Sequence, residues 1–209
     1  MSDQEQQILQ AAAIGKTFVQ QYYTLVDEHP RRPDVISALY KDSARISWNG
    51  NPILGRQGAA ALLSSMPWSW HKVRRPRQAK LIDLSAAVVV QVQSFDSQPV
   101  LGSALPGQPC SVLVCVSGIC SHSSDTLKAP MIVDDRSEPT VAEFKARENE
   151  SELLPRVFSA TFMLVPLTAQ EEALALQQGL NLGLVLETTR TNKPPPRYWI
   201  VSDAFRFVG

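Results

Sequence analysis

The sequence predicts an α+β fold: three N-terminal helices packed in the hollow of one strongly curved, mixed or antiparallel sheet, giving a cone. Three observations lead there. Apolar residues recur at helical spacing only from the N-terminus to about residue 65, with one short exception near residue 170. From residue 86 onward the apolar runs are strand-like and rich in Val, Ile and Phe. The closing run, Tyr198 to Phe207, alternates with a period of two, yet neither of its faces is suited to water.

Each element has its own justification. Ser2 with Glu5 three residues on forms a capping box. Ile8, Ala11, Gly15, Phe18, Tyr22 and Leu25 then mark one face of a helix that Pro30 stops. Pro33 opens a short second helix through Val35, Ile36, Leu39 and Tyr40. Ala44 to Trp48 reads as a strand, Asn49-Gly50 as a type I′ turn, and Asn51 to Leu54 as its return. Both turn residues tolerate the positive φ that such a turn demands. Gln57 to Ser65 is a third helix ended by Pro67. Strands follow at Ala86 to Phe95, Cys110 to Cys120, Val157 to Val165 and Tyr198 to Phe207. Ala169 to Leu176 is a short helix, and Pro194-Pro195-Pro196 a stiff spacer.

The length of 209 residues suits one domain, 1–209, interrupted by insertions at about 68–85, 121–156 and 166–196. Twenty basic residues balance twenty acidic ones, so net charge does not point to nucleic acid or membrane. The charge is nevertheless segregated. The first insertion holds Lys72, Arg74, Arg75, Arg77 and Lys80 beside Trp68 and Trp70, and is a candidate RNA contact. The second is acidic from Asp134 to Glu152 and reads as disordered or extended. The opening Met-Ser-Asp-Gln-Glu lacks a signal peptide's basic and apolar regions, and no apolar run approaches spanning length, so a soluble intracellular chain is expected. Cys110, Cys115 and Cys120 are spaced by five, which places successive thiols on opposite strand faces and suits neither a disulfide nor a metal site. They read as small buried hydrophobes in a reducing compartment. No cofactor is expected.

Strict alternation puts Trp199, Val201, Asp203, Phe205 and Phe207 on one face of the last strand. Tyr198, Ile200, Ser202, Ala204 and Arg206 take the other. The run from Cys110 to Cys120 is apolar at nearly every position, as in a strand covered on both sides. Three helices cover only one side of a sheet. The second side therefore needs a partner, and its contact residues are expected to be Tyr198, Ile200, Ser202, Ala204 and Arg206 together with Val114 and Val116.

The order of elements, the Trp48-Asn49-Gly50-Asn51 hairpin, Phe95-Asp96-Ser97-Gln98-Pro99-Val100 and the closing Ser202-Asp203-Ala204-Phe205-Arg206-Phe207 resemble the NTF2-like superfamily. More narrowly, they are similar to the NTF2-related export proteins, the small subunits of the heterodimeric general mRNA export receptor. The long insertions are closer to the fungal type. The resemblance implies a non-catalytic subunit that pairs with the NTF2-like domain of the large receptor subunit. It further implies binding of phenylalanine-glycine (FG) repeat nucleoporins, passage of messenger ribonucleoprotein, and residence in nucleus and cytoplasm at the nuclear pore. It implies too that Arg206 meets an acidic side chain of the large subunit. The physics of the residue agrees. Two copies of Arg206 facing each other near a twofold axis would repel, and a buried charge without its counter-ion costs roughly 3–5 kcal/mol. A non-identical partner removes that cost.

Two rivals share this fold class. One is a homodimeric transport factor for the GTPase Ran, which Arg206 disfavours. The other is a cone enzyme of the isomerase or dehydratase type, for which the one candidate pair is Asp203 with Tyr22 or Tyr23. His29, His71 and His122 fall on no predicted inward strand position, and no triad, phosphate-loop or metal-ligand spacing is present. Trp48, Asn49, Gly50 and Asn51 are expected to shape the open rim of the cone. Asp203 is expected to point inward and to accept from loop or hairpin amides.

Overall fold

The structure, a computed structural model, describes residues 2–27, 32–73, 91–102, 109–123, 156–177, 183–185 and 196–208. Helix α1 (Asp3–Asp27) starts at the expected capping box: the Ser2 amide donates to Glu5 Oε2 at 2.8 Å and the Glu5 amide to Ser2 Oγ at 3.3 Å. Its apolar stripe, Ala11, Ile14, Phe18, Val19, Tyr22, Tyr23 and Val26, is buried. Helix α2 (Arg32–Ser37) is shorter than expected and ends before Leu39 and Tyr40. Helix α3 (Gly55–Ser65) buries Ala59 and Leu63. Helix α4 (Ala169–Gln177) is opened by a second capping box, in which Thr168 and Glu171 exchange bonds.

Among the described residues, eight strands form one curved sheet: β1 (Tyr40–Trp48), β2 (Asn51–Leu54), β3 (Trp68–Val73), β4 (Gln91–Pro99), β5 (Val112–Ser123), β6 (Arg156–Pro166), β7 (Leu184–Val185) and β8 (Arg197–Phe207). The path is β2-β1-β8-β6-β5-β3-β4, with β5 also pairing β4 and with β7 on β8. The sheet is mixed, because β1 and β8 run parallel, as do β3 and β4. Two strands lie inside predicted insertions. Of the first six residues of the basic one, Trp68 to His71 pair with Ser123 to Cys120 and Lys72 and Val73 with Gln91 and Val92, and Leu184–Val185 pairs with the start of β8. Residues 86–90 of the expected strand Ala86 to Phe95 lie outside the described residues, as does most of the acidic segment.

The core lies between the helices and the concave face. It gathers Phe18, Tyr22 and Tyr23 from α1 with Phe158, Ala160, Phe162 and Leu164 from β6 and Val112, Val114 and Val116 from β5. Phe162 meets Phe18 and Tyr22 edge to face, both at 4.9 Å between ring centroids, the arrangement ring quadrupoles favour. Gly15 lets α1 sit directly on β4, since a Cβ there would run into Ser97. Arg32 is fully buried beneath the end of α3. Its Nη2 donates to the Met66 carbonyl at 2.9 Å and its Nη1 to Ser69 Oγ at 3.3 Å, while Ser69 Oγ donates to Asp27. These hydrogen bonds tie α1, α2, the end of α3 and β3 together.

Candidate interaction face and buried polar cluster

The last strand does not keep strict alternation. On β6, Met163 pairs with Ser202 but its neighbour Leu164 pairs with Ile200, leaving Val201 as the extra residue of a bulge. A bulge reverses the sense of every side chain beyond it. Phe207, Phe205 and Asp203 point inward as expected, but so do Ile200 and Tyr198, both core residues at 1% exposure. Trp199 is turned out of that core set and lies buried under the Arg56 guanidinium, 5.3 Å from the ring centroid. The expected contact set is therefore corrected at four positions. Tyr198 and Ile200 are internal because of the bulge. Val114 and Val116 are internal because β5 is in register with Phe162 and Ala160 of β6, whose side chains fill the hollow. Cys115, expected to be buried, is exposed on the opposite face, while Cys110 and Cys120 are buried.

The outward face keeps Ser202, Ala204 and Arg206, and register arranges it in rows. One row runs Ser94, Ser117, Ser159, Arg206. The next runs Asp96, Cys115, Thr161, Ala204, Ser47. A third runs Gln98, Leu113, Met163, Ser202, Arg45. Small neutral side chains therefore dominate where an oily wall was expected, with Leu113, Met163 and Val157 as the larger apolar members. Ser94 and Ser117 share a hydroxyl bond of 2.8 Å, and Thr161 Oγ1 donates to Cys115 Sγ. Arg206, Ala204, Cys115 and Asp96 are exposed, and Arg206 makes no ion pair among the described residues. Arg45 was not anticipated, although the inward Ala44 and Ile46 on either side of it dictate its direction.

The hairpin is built as the turn chemistry predicts. Asn49 and Gly50 have φ of 48° and 84°, the left-handed pair of a type I′ turn. Asn49 also locks the hairpin to the end of β8: its amide donates to the Phe205 carbonyl at 2.8 Å, and its Oδ1 accepts from the Phe207 amide at 2.9 Å. Trp48 stacks on Phe205 at 3.9 Å with the rings 5° from parallel, and Asn51 Nδ2 donates to the Trp48 carbonyl.

Asp203 does not reach the hairpin amides. The Tyr40 hydroxyl donates to its Oδ2 at 2.6 Å and lies 2.9 Å from the Tyr22 hydroxyl, which completes a chain from β8 through β1 to α1. Asp203 Oδ1 has no hydrogen-bond partner among the described residues. Burial pushes the carboxyl up to about 7, against a partial lowering by the Tyr40 bond. Burial first, then the Asp203 charge, holds the Tyr22 and Tyr40 hydroxyls well above the usual phenol range. With exposures of 5, 2 and 3% for Tyr22, Tyr40 and Asp203, the trio lies in the core. Tyr40 is the member that sequence reasoning placed in a helix; it opens β1 instead.

Of the candidate RNA contacts, Lys72 lies in β3, while Arg74, Arg75, Arg77 and Lys80 lie outside the described residues. His71 and His122 belong to β3 and β5, and His29 lies outside the described residues. Among the described residues no cluster of three or more His, Cys, Asp or Glu is placed to hold a metal, and no helix is long and apolar enough to cross a membrane.

Known proteins give this geometry a context. The family model for the Nuclear transport factor 2 (NTF2) domain matches residues 14–118. NTF2-related export protein 1 from Bos taurus is 28% identical over 109 residues, which are 52% of this chain and 61% of the bovine protein, so the match spans under two thirds of that relative. Among solved structures, nuclear transport factor 2 from Cryptosporidium parvum superposes with a TM-score of 0.51 at 16% identity, covering 95% of each chain. A complex of the Chaetomium thermophilum Mex67 NTF2-like domain with Mtr2 gives 0.52 at 15% identity, covering 95% of this chain and 99% of the other. With half of its length matched, and with the cone of helices in a curved mixed sheet around it, the chain belongs to the NTF2 domain family.

Proposed function

We propose that this chain is the non-catalytic small subunit of a heterodimeric nuclear mRNA export receptor, seated through its outward sheet face on the NTF2-like domain of a larger subunit. The observation that carries the reading is the register-aligned face of small neutral side chains with an exposed, unpaired Arg206 at its margin. Such a face packs sheet against sheet with little side-chain ordering, and a partner carboxylate opposite Arg206 supplies the counter-ion that a second copy's Arg206 would deny. Similarity to the bovine export protein supports the same direction. In this reading the pair binds FG repeats of nucleoporins and carries messenger ribonucleoprotein between nucleus and cytoplasm through the pore. The basic stretch Lys72, Arg74, Arg75, Arg77 and Lys80 adds an RNA contact to the assembled pair.

The Ran-transporting homodimer is the weaker reading because of Arg206, and the enzyme reading because the Tyr22–Tyr40–Asp203 chain is buried in the core. The test is co-expression with the NTF2-like domain of the large subunit from the same organism. A stable one-to-one complex is expected, weakened by Arg206→Asp and restored when the facing partner carboxylate is changed to arginine. Failure of the wild-type chains to associate would end the proposal. Neutralising Arg74, Arg75 and Arg77 is expected to reduce the complex's salt-sensitive RNA binding, and an unchanged affinity would remove the RNA contact alone.

A further inference from the structure

The outward face carries a charge of each sign at its two margins. Asp96 is exposed on the edge strand β4. Its carboxylate accepts from Gln98 Nε2 at 2.8 Å on the same strand and has no ion pair among the described residues. Its direction is set by three neighbours. Cys115, its partner in register, is exposed; Ser94, two residues away, bonds Ser117 on the outward side; and Ser97, next to it, meets Gly15 of α1 on the inward side. At the other margin stand Arg206 on β8 and Arg45 on β1, both exposed. Between Asp96 and Arg206 lie two strands whose outward residues, Leu113, Cys115, Ser117, Ser159, Thr161 and Met163, carry no charge. Three strand spacings of about 4.8 Å put the two margins about 14 Å apart across the sheet. That exceeds the screening length of about 8 Å at physiological salt, so neither charge neutralises the other within the chain.

A partner covering this face desolvates both margins at once. Arg206 alone leaves Asp96 without a counter-ion, and an acid opposite both would set like charges against Asp96. We infer that the partner presents a basic side chain opposite Asp96 as well as an acidic one opposite Arg206, so that two ion pairs of opposite sense fix its orientation on the sheet. The inference rests on the heterodimer reading above. It adds a contact residue, Asp96, and states the charge pattern the partner's sheet must carry. A partner turned end for end across the strands meets two repulsions instead of two attractions, which is how a flat face of small residues gains a unique docking direction.

The probe is the purified NTF2-like domain of the large subunit from the same organism, titrated with the full chain at low and high salt. Asp96→Lys is expected to weaken association at least tenfold at low salt. Asp96→Asn is expected to weaken it less and to flatten the salt dependence. Asp96 is exposed, so both variants should melt with the wild type, and a thermal scan verifies this. If Arg206→Glu weakens binding while both Asp96 variants stay within twofold of wild type, the inference is wrong and the heterodimer reading stands. If the wild-type chain does not bind the probe, both fall together. Sedimentation of the chain alone supplies the last outcome. A dimer abolished by Asp96→Lys or Arg206→Glu singly and restored in the double variant would show Asp96 pairing with Arg206 of a second copy, overturning the inference.

Discussion

At the scale of single residues, Asp203 has the largest predicted consequence. Its carboxyl is raised from 3.8 to about 7 by burial, so the folded protein holds a proton that the unfolded chain releases. Between those values the native state binds more protons than the unfolded one, and stability must fall as pH rises from about 4 to about 7, then level off. The contribution at stake is on the order of a few kcal/mol. Urea midpoints measured from pH 4.5 to 8 for wild type and Asp203→Asn test this: the difference between the two should move in favour of the variant as pH rises. A constant difference would contradict it. Tyr40→Phe removes the donor to Oδ2 and the acceptor for Tyr22, and is expected to cost about 1–3 kcal/mol in the same assay. Legibility at this scale followed alternation. Asp203 was correctly read as inward and Arg206 as outward, because both lie on the same side of the bulge as the Phe205–Phe207 pair. Its hydrogen-bond partner was not legible: Tyr40 comes from 163 residues upstream, and no local pattern encodes that pairing.

At the scale of elements, turns and caps were readable because they are local chemistry. Asn49-Gly50 and the Ser2–Glu5 box occur where short-range rules put them. The long strands were found too, within a few residues. The bulge at Val201 was not, since an extra residue leaves the apolar pattern of Tyr198 to Phe207 equally consistent with two parities. Four of the expected contact residues were misplaced through parity, at Tyr198 and Ile200 by the bulge and at Val114 and Val116 by a strand whose two faces differ little in polarity. Strand β3, Trp68-Ser69-Trp70-His71-Lys72-Val73, escaped notice because it runs without a break into the basic stretch that follows and was read as part of it. Two substitutions test the element contacts. Asn49→Ala removes both a residue suited to positive φ and the acceptor of the Phe207 amide, and should destabilise by about 1–2 kcal/mol in urea. Gly55→Ala places a Cβ against the Asp42 carbonyl at φ of 67° and should cost about 2 kcal/mol or more, seen as a lowered melting temperature with unchanged circular dichroism.

At the scale of the whole molecule, the sheet has one side filled by helices and one side that is neither oily nor strongly charged. The cone was legible from the order of elements; of the face proposed for a partner, only Ser202, Ala204 and Arg206 were read on the outward side. The need for a partner was inferred from apolar residues that proved internal. What carries it instead is the pattern left outside: rows of Ser, Thr, Cys and Ala in register, bounded by Asp96 on one side and Arg45 and Arg206 on the other. Small side chains lose little rotamer freedom on being covered, which is what the proposed docking of a partner on this face requires.

The most direct measurement of the central claim is sedimentation equilibrium of the chain alone, of the chain mixed with the NTF2-like domain of the proposed large subunit, and of the mixture carrying Arg206→Asp. A one-to-one complex of wild-type chains, loosened at least tenfold by Arg206→Asp, is the predicted result. A wild-type chain that forms a stable dimer with itself and ignores the large subunit would contradict it.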